Sequence, residues 1–153
     1  PIDAPQDRDG NRSNYMARGL LQLPGDAKEL SVFATEAYYK GPASRVRRFV
    51  YRLDGFVSAQ AKQGALTTKP LTFAGSRLTL NIRSQGESRV ELRDLDGKPI
   101  PGFTLAECQP VQGDDIVRAI VWKGGDLKAL AGKPVRLHFA LNEADVYSLQ
   151  FND

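Results

Sequence analysis

The sequence is poor in the residues that build metal, disulfide and thiol sites. It has one cysteine, one histidine, one methionine and one tryptophan in 153 residues. A single cysteine excludes an intrachain disulfide, and one Cys with one His cannot supply the four ligands of a structural zinc site. The chain offers a single thiol–imidazole pair, Cys108 and His138. The alternative to such a dyad is a half-buried thiol and an exposed strand histidine.

Long apolar runs and a strong charge of one sign are also missing. No stretch approaches the roughly 20 apolar residues of a membrane helix. The net charge is +3, from 21 Lys and Arg against 18 Asp and Glu, and the excess is spread along the chain. The arginines between residues 45 and 52 form the one basic cluster. We interpret it as a solvated strand face rather than a phosphate-binding stripe, so we expect neither a nucleic-acid nor a membrane partner.

What the chain does have is an alternation of apolar and polar residues, which is typical of half-buried β-strands. Residues 78–82, 90–92, 135–141 and 147–151 alternate clearly. Residues 116–122 are apolar on both faces, which predicts a central strand covered on both sides. Turn residues separate these runs, including Gln85-Gly86-Glu87 and Asp96-Gly97.

Only residues 126–132 have a helical pattern, with Asp126 as the N-cap and Gly132 after the last turn. Short strands with frequent turns predict an all-β fold, an antiparallel β-sandwich of jelly-roll type with one short helical turn. Residues 52–153 are long enough for one sandwich core. Residues 1–51 carry two or three extra strands that bury little alone, so we expect a partial N-terminal unit there.

Two distinctive stretches follow each other in the sequence. The first is YRLDGFVS at residues 51–58, followed by LTTKPL at 66–71. The second comprises LRDLDGKPIPGF (92–103), VWKGGD (121–126), LAGKPVRL (130–137) and VYSLQF (146–151). In this order they resemble the C-terminal β-sandwich of bacterial glycoside-hydrolase-like proteins, common in planctomycetes. In that family the sandwich follows a five-bladed propeller similar to that of the invertase and fructanase clan.

The resemblance covers roughly residues 44–153, and DRDGNRSNYM at residues 7–16 resembles the end of the propeller. It implies a non-catalytic accessory module of a secreted or periplasmic protein, which buttresses a catalytic propeller and holds carbohydrate. Residues 1–18 lack the apolar stretch of a signal peptide, and we expect the chain to be cut from something longer. Without its propeller, the segment 15–51 is expected to expose an apolar patch or sheet edge that favours self-association.

Glycoside hydrolysis needs two carboxyl groups about 5–10 Å apart. Asp114 and Asp115 are adjacent and would point to opposite sides of a strand. Asp94 and Asp96 lie together at a hairpin, where Asp96 is the residue expected for the turn. We therefore assign no catalytic residue. A contribution of these loops to a glycosidase cleft and a plain protein-interaction module remain alternatives.

The same four aspartates, Asp94, Asp96, Asp114 and Asp115, are our candidates for a structural Ca²⁺ site, with Asp54 and Asp145 as further loop or strand-end oxygens. The alternative is that they are turn and cap aspartates. We expect no other cofactor.

Sugar binding uses exposed aromatic rings, and the candidates are Trp122, Tyr38 and Tyr39. The alternatives are a core position for Trp122 and contact with the propeller for the two tyrosines.

Overall fold

The computed structural model describes residues 15–38 and 41–153, which form six β-strands and two short 3-10 turns. The strands are β1 (Glu29–Glu36), β2 (Arg45–Arg52), β3 (Ala59–Thr67), β4 (Arg77–Arg93), β5 (Val111–Ile120) and β6 (Arg136–Asn152). They form two antiparallel sheets. The predicted all-β class is confirmed. The chain divides into two compact units, one ending at Phe56 and the other comprising Val57–Asp153.

In the first unit, β1 and β2 form a hairpin in which Glu29 lies opposite Arg52 and Glu36 opposite Arg45. Residues 15–21 extend this sheet on the free edge of β1 through backbone hydrogen bonds, including both bonds between Leu21 and Ser31. A two-stranded hairpin is only marginally stable alone. The third segment and the side-chain ion pairs described below therefore help to hold this unit together.

The second unit is a four-stranded sheet in the order β3-β6-β4-β5. The prediction of a central strand at residues 116–122 is wrong, because β5 ends at Ile120 and is an edge strand. Val117 is 60% exposed. An edge strand needs only one buried face, and the apolar residues on the other face of β5 lie at the surface. Residues 85–87, expected to be a turn, instead form part of the single 17-residue strand β4.

Both long strands stay in register through β-bulges. Along β6 the buried face changes from Leu137, Phe139 and Leu141 to Ala144 and Val146, a step of three residues. The pairing with β4 shifts by one residue between Asn81 and Ile82, and again between Ser84 and Arg89. Because side chains alternate with a period of two, each extra residue returns the following apolar side chains to the core.

The hydrophobic core of the second unit lies between one face of the sheet and a second layer of connecting segments. The sheet contributes Leu78, Leu80, Ile82, Val90, Leu92, Val111, Ile120, Leu137, Phe139, Leu141, Ala144 and Val146. The connections contribute Phe73, Phe103, Cys108, Trp122, Leu127 and Val135. This layering within residues 57–153 is sandwich-like, as the alternation predicts.

The predicted helical turn is confirmed as a 3-10 turn at Leu127–Leu130. The carboxylate of Asp126 accepts a hydrogen bond from the backbone N–H of Lys128 at 3.0 Å, which caps the turn. Gly132 follows in the left-handed region, with φ of +77°. A second 3-10 turn, Gly41–Ala43, was not expected.

Candidate functional site

A polar cavity of about 280 Å³ lies where β3, β6 and β4 run side by side, next to the bulges in the pairing of β4 with β6. We call it the sheet cavity. Its lining is Gln60, Ala61 and Lys62 of β3, Arg83 and Gln85 of β4, and Glu143, Ala144 and Asp145 of β6. It therefore combines two carboxylates, two cations and two amides around two alanines. These groups can donate and accept hydrogen bonds in several directions.

Strand register explains why these residues meet. Asp145 lies opposite Gln60 on β3 and opposite Arg83 on β4. Arg83 in turn lies opposite Asp114 on β5. One row across four strands thus alternates amide, acid, base and acid. Cross-strand neighbours of opposite charge stabilise a sheet modestly, by roughly 0.2–1 kcal/mol each.

The bulge of β4 beside the cavity is fixed by small buried residues. The hydroxyl groups of Ser84 and Ser88 are 2.9 Å apart, and the Ser88 hydroxyl accepts a hydrogen bond from the Asn142 N–H at 3.1 Å. At Gly86 a Cβ atom would lie 2.5 Å from the side chain of Asn142. Only glycine permits this approach of β4 to β6 without a shift, so the bulge depends on Gly86.

The two acidic residues of the cavity, Asp145 and Glu143, have different surroundings. Oδ1 of Asp145 accepts a hydrogen bond from the hydroxyl of Ser58 at 3.1 Å. Glu143 is exposed, and its backbone φ is +45°. This is the left-handed region, which residues other than glycine rarely adopt. Residues held in such conformations often occur at functional sites.

A second cluster lies further along the same sheet, around the single histidine. Nδ1 of His138 is 2.7 Å from the hydroxyl of Thr67 on β3, and His138 lies opposite Glu91 on β4. Glu91 is only 4% exposed, and its carboxylate bonds to Arg93 at 2.6 Å and accepts a bond from the N–H of Leu105 at 3.2 Å. Burial, and then the charge of Arg93, lowers the pKa of His138, while Glu91 acts in the opposite direction.

Trp122 lies in the core, with 8% of its surface exposed. Its Nε1 donates a hydrogen bond to the Val90 carbonyl at 2.8 Å, and its ring packs edge-on against Phe103 with centroids 5.5 Å apart. Trp122 is therefore a core residue, which was the alternative to its assignment as a sugar-binding ring. Tyr38 is 51% exposed and forms an edge-to-face pair with Tyr15 at 5.2 Å. Tyr39 lies outside the described residues.

The four predicted metal aspartates occupy two separate places. Asp94 and Asp96 lie in the turn after β4, where Oδ1 of Asp94 accepts a bond from the Lys98 N–H at 2.9 Å. Asp114 and Asp115 lie within β5 rather than in a loop. Within residues 15–38 and 41–153, no group of three or more His, Cys, Asp and Glu side chains is placed to hold a metal ion. A Ca²⁺ site stays a prediction.

Cys108 and His138 have different partners. Cys108 is 1% exposed rather than half-buried. Its sulfur accepts a bond from the Val90 N–H and donates to the Gln109 carbonyl, each at 3.3 Å. Burial raises the pKa of this thiol, which is partly offset by the Val90 bond and the charge of Arg89. A buried thiol of this kind is a poor nucleophile.

The arginine cluster of β2 is largely neutralised by carboxylates of its own unit. The buried carboxylate of Glu36 pairs with Arg45 and, at 3.0 Å, with Arg47. Arg48 bonds to Asp26 at 2.6 Å and to the hydroxyl of Ser31 at 2.9 Å. The cluster was interpreted as a solvated strand face, and the structure adds that carboxylates of the same unit pair with these arginines.

Comparisons with family models, with curated proteins and with solved structures found no match to this chain. No helix in the part of the chain that the structure describes has the length and apolar character needed to cross a membrane.

Sequence reasoning named Asp145 as a possible ligand residue but missed the sheet cavity. Its lining comes from three strands whose register no local pattern specifies. Glu143 carries no sequence signal, because its conformation follows from the bulge.

Proposed function

We propose that this chain is a non-catalytic accessory module of a secreted glycoside-hydrolase-like protein, and that the sheet cavity holds carbohydrate. The sequence resemblance motivates the parent class. The observation that carries the binding role is the lining of the cavity, where carboxylates, amides and cations surround a small space. Sugar hydroxyls both donate and accept hydrogen bonds, so a lining of this kind satisfies them.

The structural part of the proposal is that the module buttresses a catalytic domain. The first unit supports it with exposed large apolar side chains, namely Tyr15, Met16, Leu20, Leu21, Tyr38, Val46 and Val50. Val46 is 68% exposed. Tyr15, Met16 and Val46 line one shallow depression, and contiguous exposed apolar groups are typical of surfaces that another protein covers. The Tyr15–Tyr38 pair belongs to this set, and it is also the aromatic surface that a sugar ring could contact.

A glycan array, followed by pull-down on insoluble polysaccharides, tests the binding role. Lys62→Ala removes one donor from the cavity, whereas Lys69→Ala removes another exposed lysine that lies outside it. We expect the first variant to weaken retention several-fold and the second to bind as the wild type does. Absence of binding to every glycan would remove the carbohydrate role. Equal loss in both variants would show non-specific charge binding.

Hydrolysis is separated from binding by a chromogenic glycoside assay on the same chain. The accessory role predicts no turnover. Turnover that Asp145→Asn abolishes would assign this chain to a glycosidase cleft instead, because Asp145 and Glu143 are the carboxylates of the cavity.

A protein-interaction module is the second candidate, and the exposed apolar side chains of the first unit favour it. Sedimentation velocity across a range of concentrations tests it. Self-association that Val46→Ser and Val50→Ser reduce would support this role. If the chain is a monomer at all concentrations and binds glycans normally, the protein-interaction role is excluded and the accessory role remains.

A further inference from the structure

The charges of the sheet cavity balance. Lys62 and Arg83 carry two positive charges, and Glu143 and Asp145 carry two negative ones. An anionic ligand would gain attraction from one pair and meet repulsion from the other, and the same holds for a cation. A neutral ligand with many hydroxyl groups avoids this conflict, because it can donate to the carboxylates and accept from the cations and amides.

The size and floor of the cavity limit the ligand further. A volume of about 280 Å³ lies at the lower end of the range for small-molecule pockets, which suits one sugar ring rather than several. Ala61, which is half-buried, supplies a small apolar contact for the C–H groups of such a ring. Gln60 and Lys62 belong to β3, an edge strand, so a longer saccharide can leave the cavity past the edge of the sheet.

Glu143 shows a backbone conformation that its residue type disfavours. Its φ of +45° belongs to the left-handed region, which residues other than glycine rarely adopt because their Cβ atom crowds the backbone there. Asp54 has a similar φ of +51° but lies in the first unit, outside the cavity. The two residues therefore allow the conformational cost to be separated from a role in binding.

We propose that the sheet cavity binds a single uncharged sugar unit, and that Glu143 is retained in its left-handed conformation because its carboxylate accepts hydrogen bonds from the hydroxyls of that unit. This inference rests on the proposed carbohydrate role and specifies its ligand class. Glu143 is then a specificity residue of the cavity. Arg83 and Gln85 on β4 and Gln60 on β3 supply hydrogen-bond donors from the two strands that flank β6.

The test is an amide-resolved NMR titration of the whole chain with four probes. These are methyl glycosides of neutral hexoses, glucuronate, glucosamine and inorganic phosphate. We expect neutral glycosides to shift the amides of residues 60–62, 83–85 and 143–145 and to bind at least several-fold more tightly than the charged probes. Tighter binding of glucuronate, glucosamine or phosphate at these amides would overturn the neutral-ligand inference while leaving a carbohydrate or anion site in place. If no probe shifts them, the cavity has no carbohydrate role, and the binding part of the proposed function fails with it.

Glycine variants test the role of Glu143. Glu143→Gly removes the carboxylate and relieves the backbone conformation, so its melting temperature should equal or exceed that of the wild type, while its affinity for the neutral glycoside should fall on the order of tenfold. Asp54→Gly should show the same tolerance in stability and unchanged affinity. Wild-type affinity in Glu143→Gly would overturn the role of Glu143. Equal affinity losses in both variants would do the same.

Discussion

Replacing Trp122 with Phe should destabilise the second unit without affecting sugar binding. The Trp122 indole donates to the carbonyl of Val90 at 2.8 Å inside the core. The N–H of Val90 bonds to the sulfur of Cys108, on the same side of β4 as that carbonyl. Since β6 lies on the other side, no ladder bond replaces the indole N–H when it is removed. The carbonyl is then buried without a partner.

The magnitude follows from two contributions. An unsatisfied buried carbonyl costs about 1–3 kcal/mol. The smaller phenyl ring also loses part of the packing that a full Trp→Ala truncation, at about 3–5 kcal/mol, would remove. We therefore expect a loss of about 2–4 kcal/mol. For a unit of about 100 residues, that lowers the melting temperature by roughly 10–25 °C.

Urea unfolding followed by far-UV circular dichroism measures this loss, since the variant has no tryptophan fluorescence. The midpoint should fall while the m-value stays unchanged. Val117→Ala, at an exposed position of β5, is the control and should change stability by less than about 0.5 kcal/mol. A loss below about 0.5 kcal/mol in Trp122→Phe would refute the core role of the indole. A selective loss of glycan binding in the folded variant would support the ligand-platform alternative.

Three further predictions concern the second unit. Burial lowers the pKa of His138, so the native state binds fewer protons than the unfolded chain, and stability should fall as the pH drops through about 6.5. Urea midpoints between pH 7.5 and 5 should show this component in the wild type and lose it in His138→Gln; an NMR titration placing the folded pKa above 6.5 would contradict it. Gly75→Ala should cost at least about 2 kcal/mol in thermal unfolding, because φ is +106° and the new Cβ would lie 2.5 Å from the Asn152 carbonyl oxygen. Gly97→Ala has a positive φ but open space, so an equal loss there would refute the steric argument. Cys108 should react with a thiol reagent only after urea unfolding, and rapid stoichiometric labelling of the native protein would show that the thiol is accessible.

Local patterns predicted much of the fold because they record which residues face the core. The alternation at residues 135–141 correctly assigned Leu137, Phe139 and Leu141 to the buried face. The capped turn after Asp126 was correct because its signal lies within a few residues. The pattern failed for β5, since an apolar residue on an exposed edge looks the same in the sequence as one on a covered face.

The candidate site was much less predictable. Gly86 looked like a turn residue, because a glycine between polar neighbours marks a reversal and a bulge equally well. The cavity depends on the choice of partners among β3, β4 and β6, which lie far apart in the sequence. Trp122 could be read as a sugar platform or a core residue, and only the bond to Val90 and the contact with Phe103 distinguish these roles.

The bulges of β6 also restrict how this protein can change length during evolution. Tyr147 is the extra residue between the pairs Asn81–Ser148 and Ile82–Val146. Deleting it would invert the orientation of either the residues before it or those after it, turning core side chains outward. Insertions and deletions in this strand are therefore tolerated only when a second change nearby restores the alternation. Related sequences should vary in length in the connections between strands long before they do so in β6.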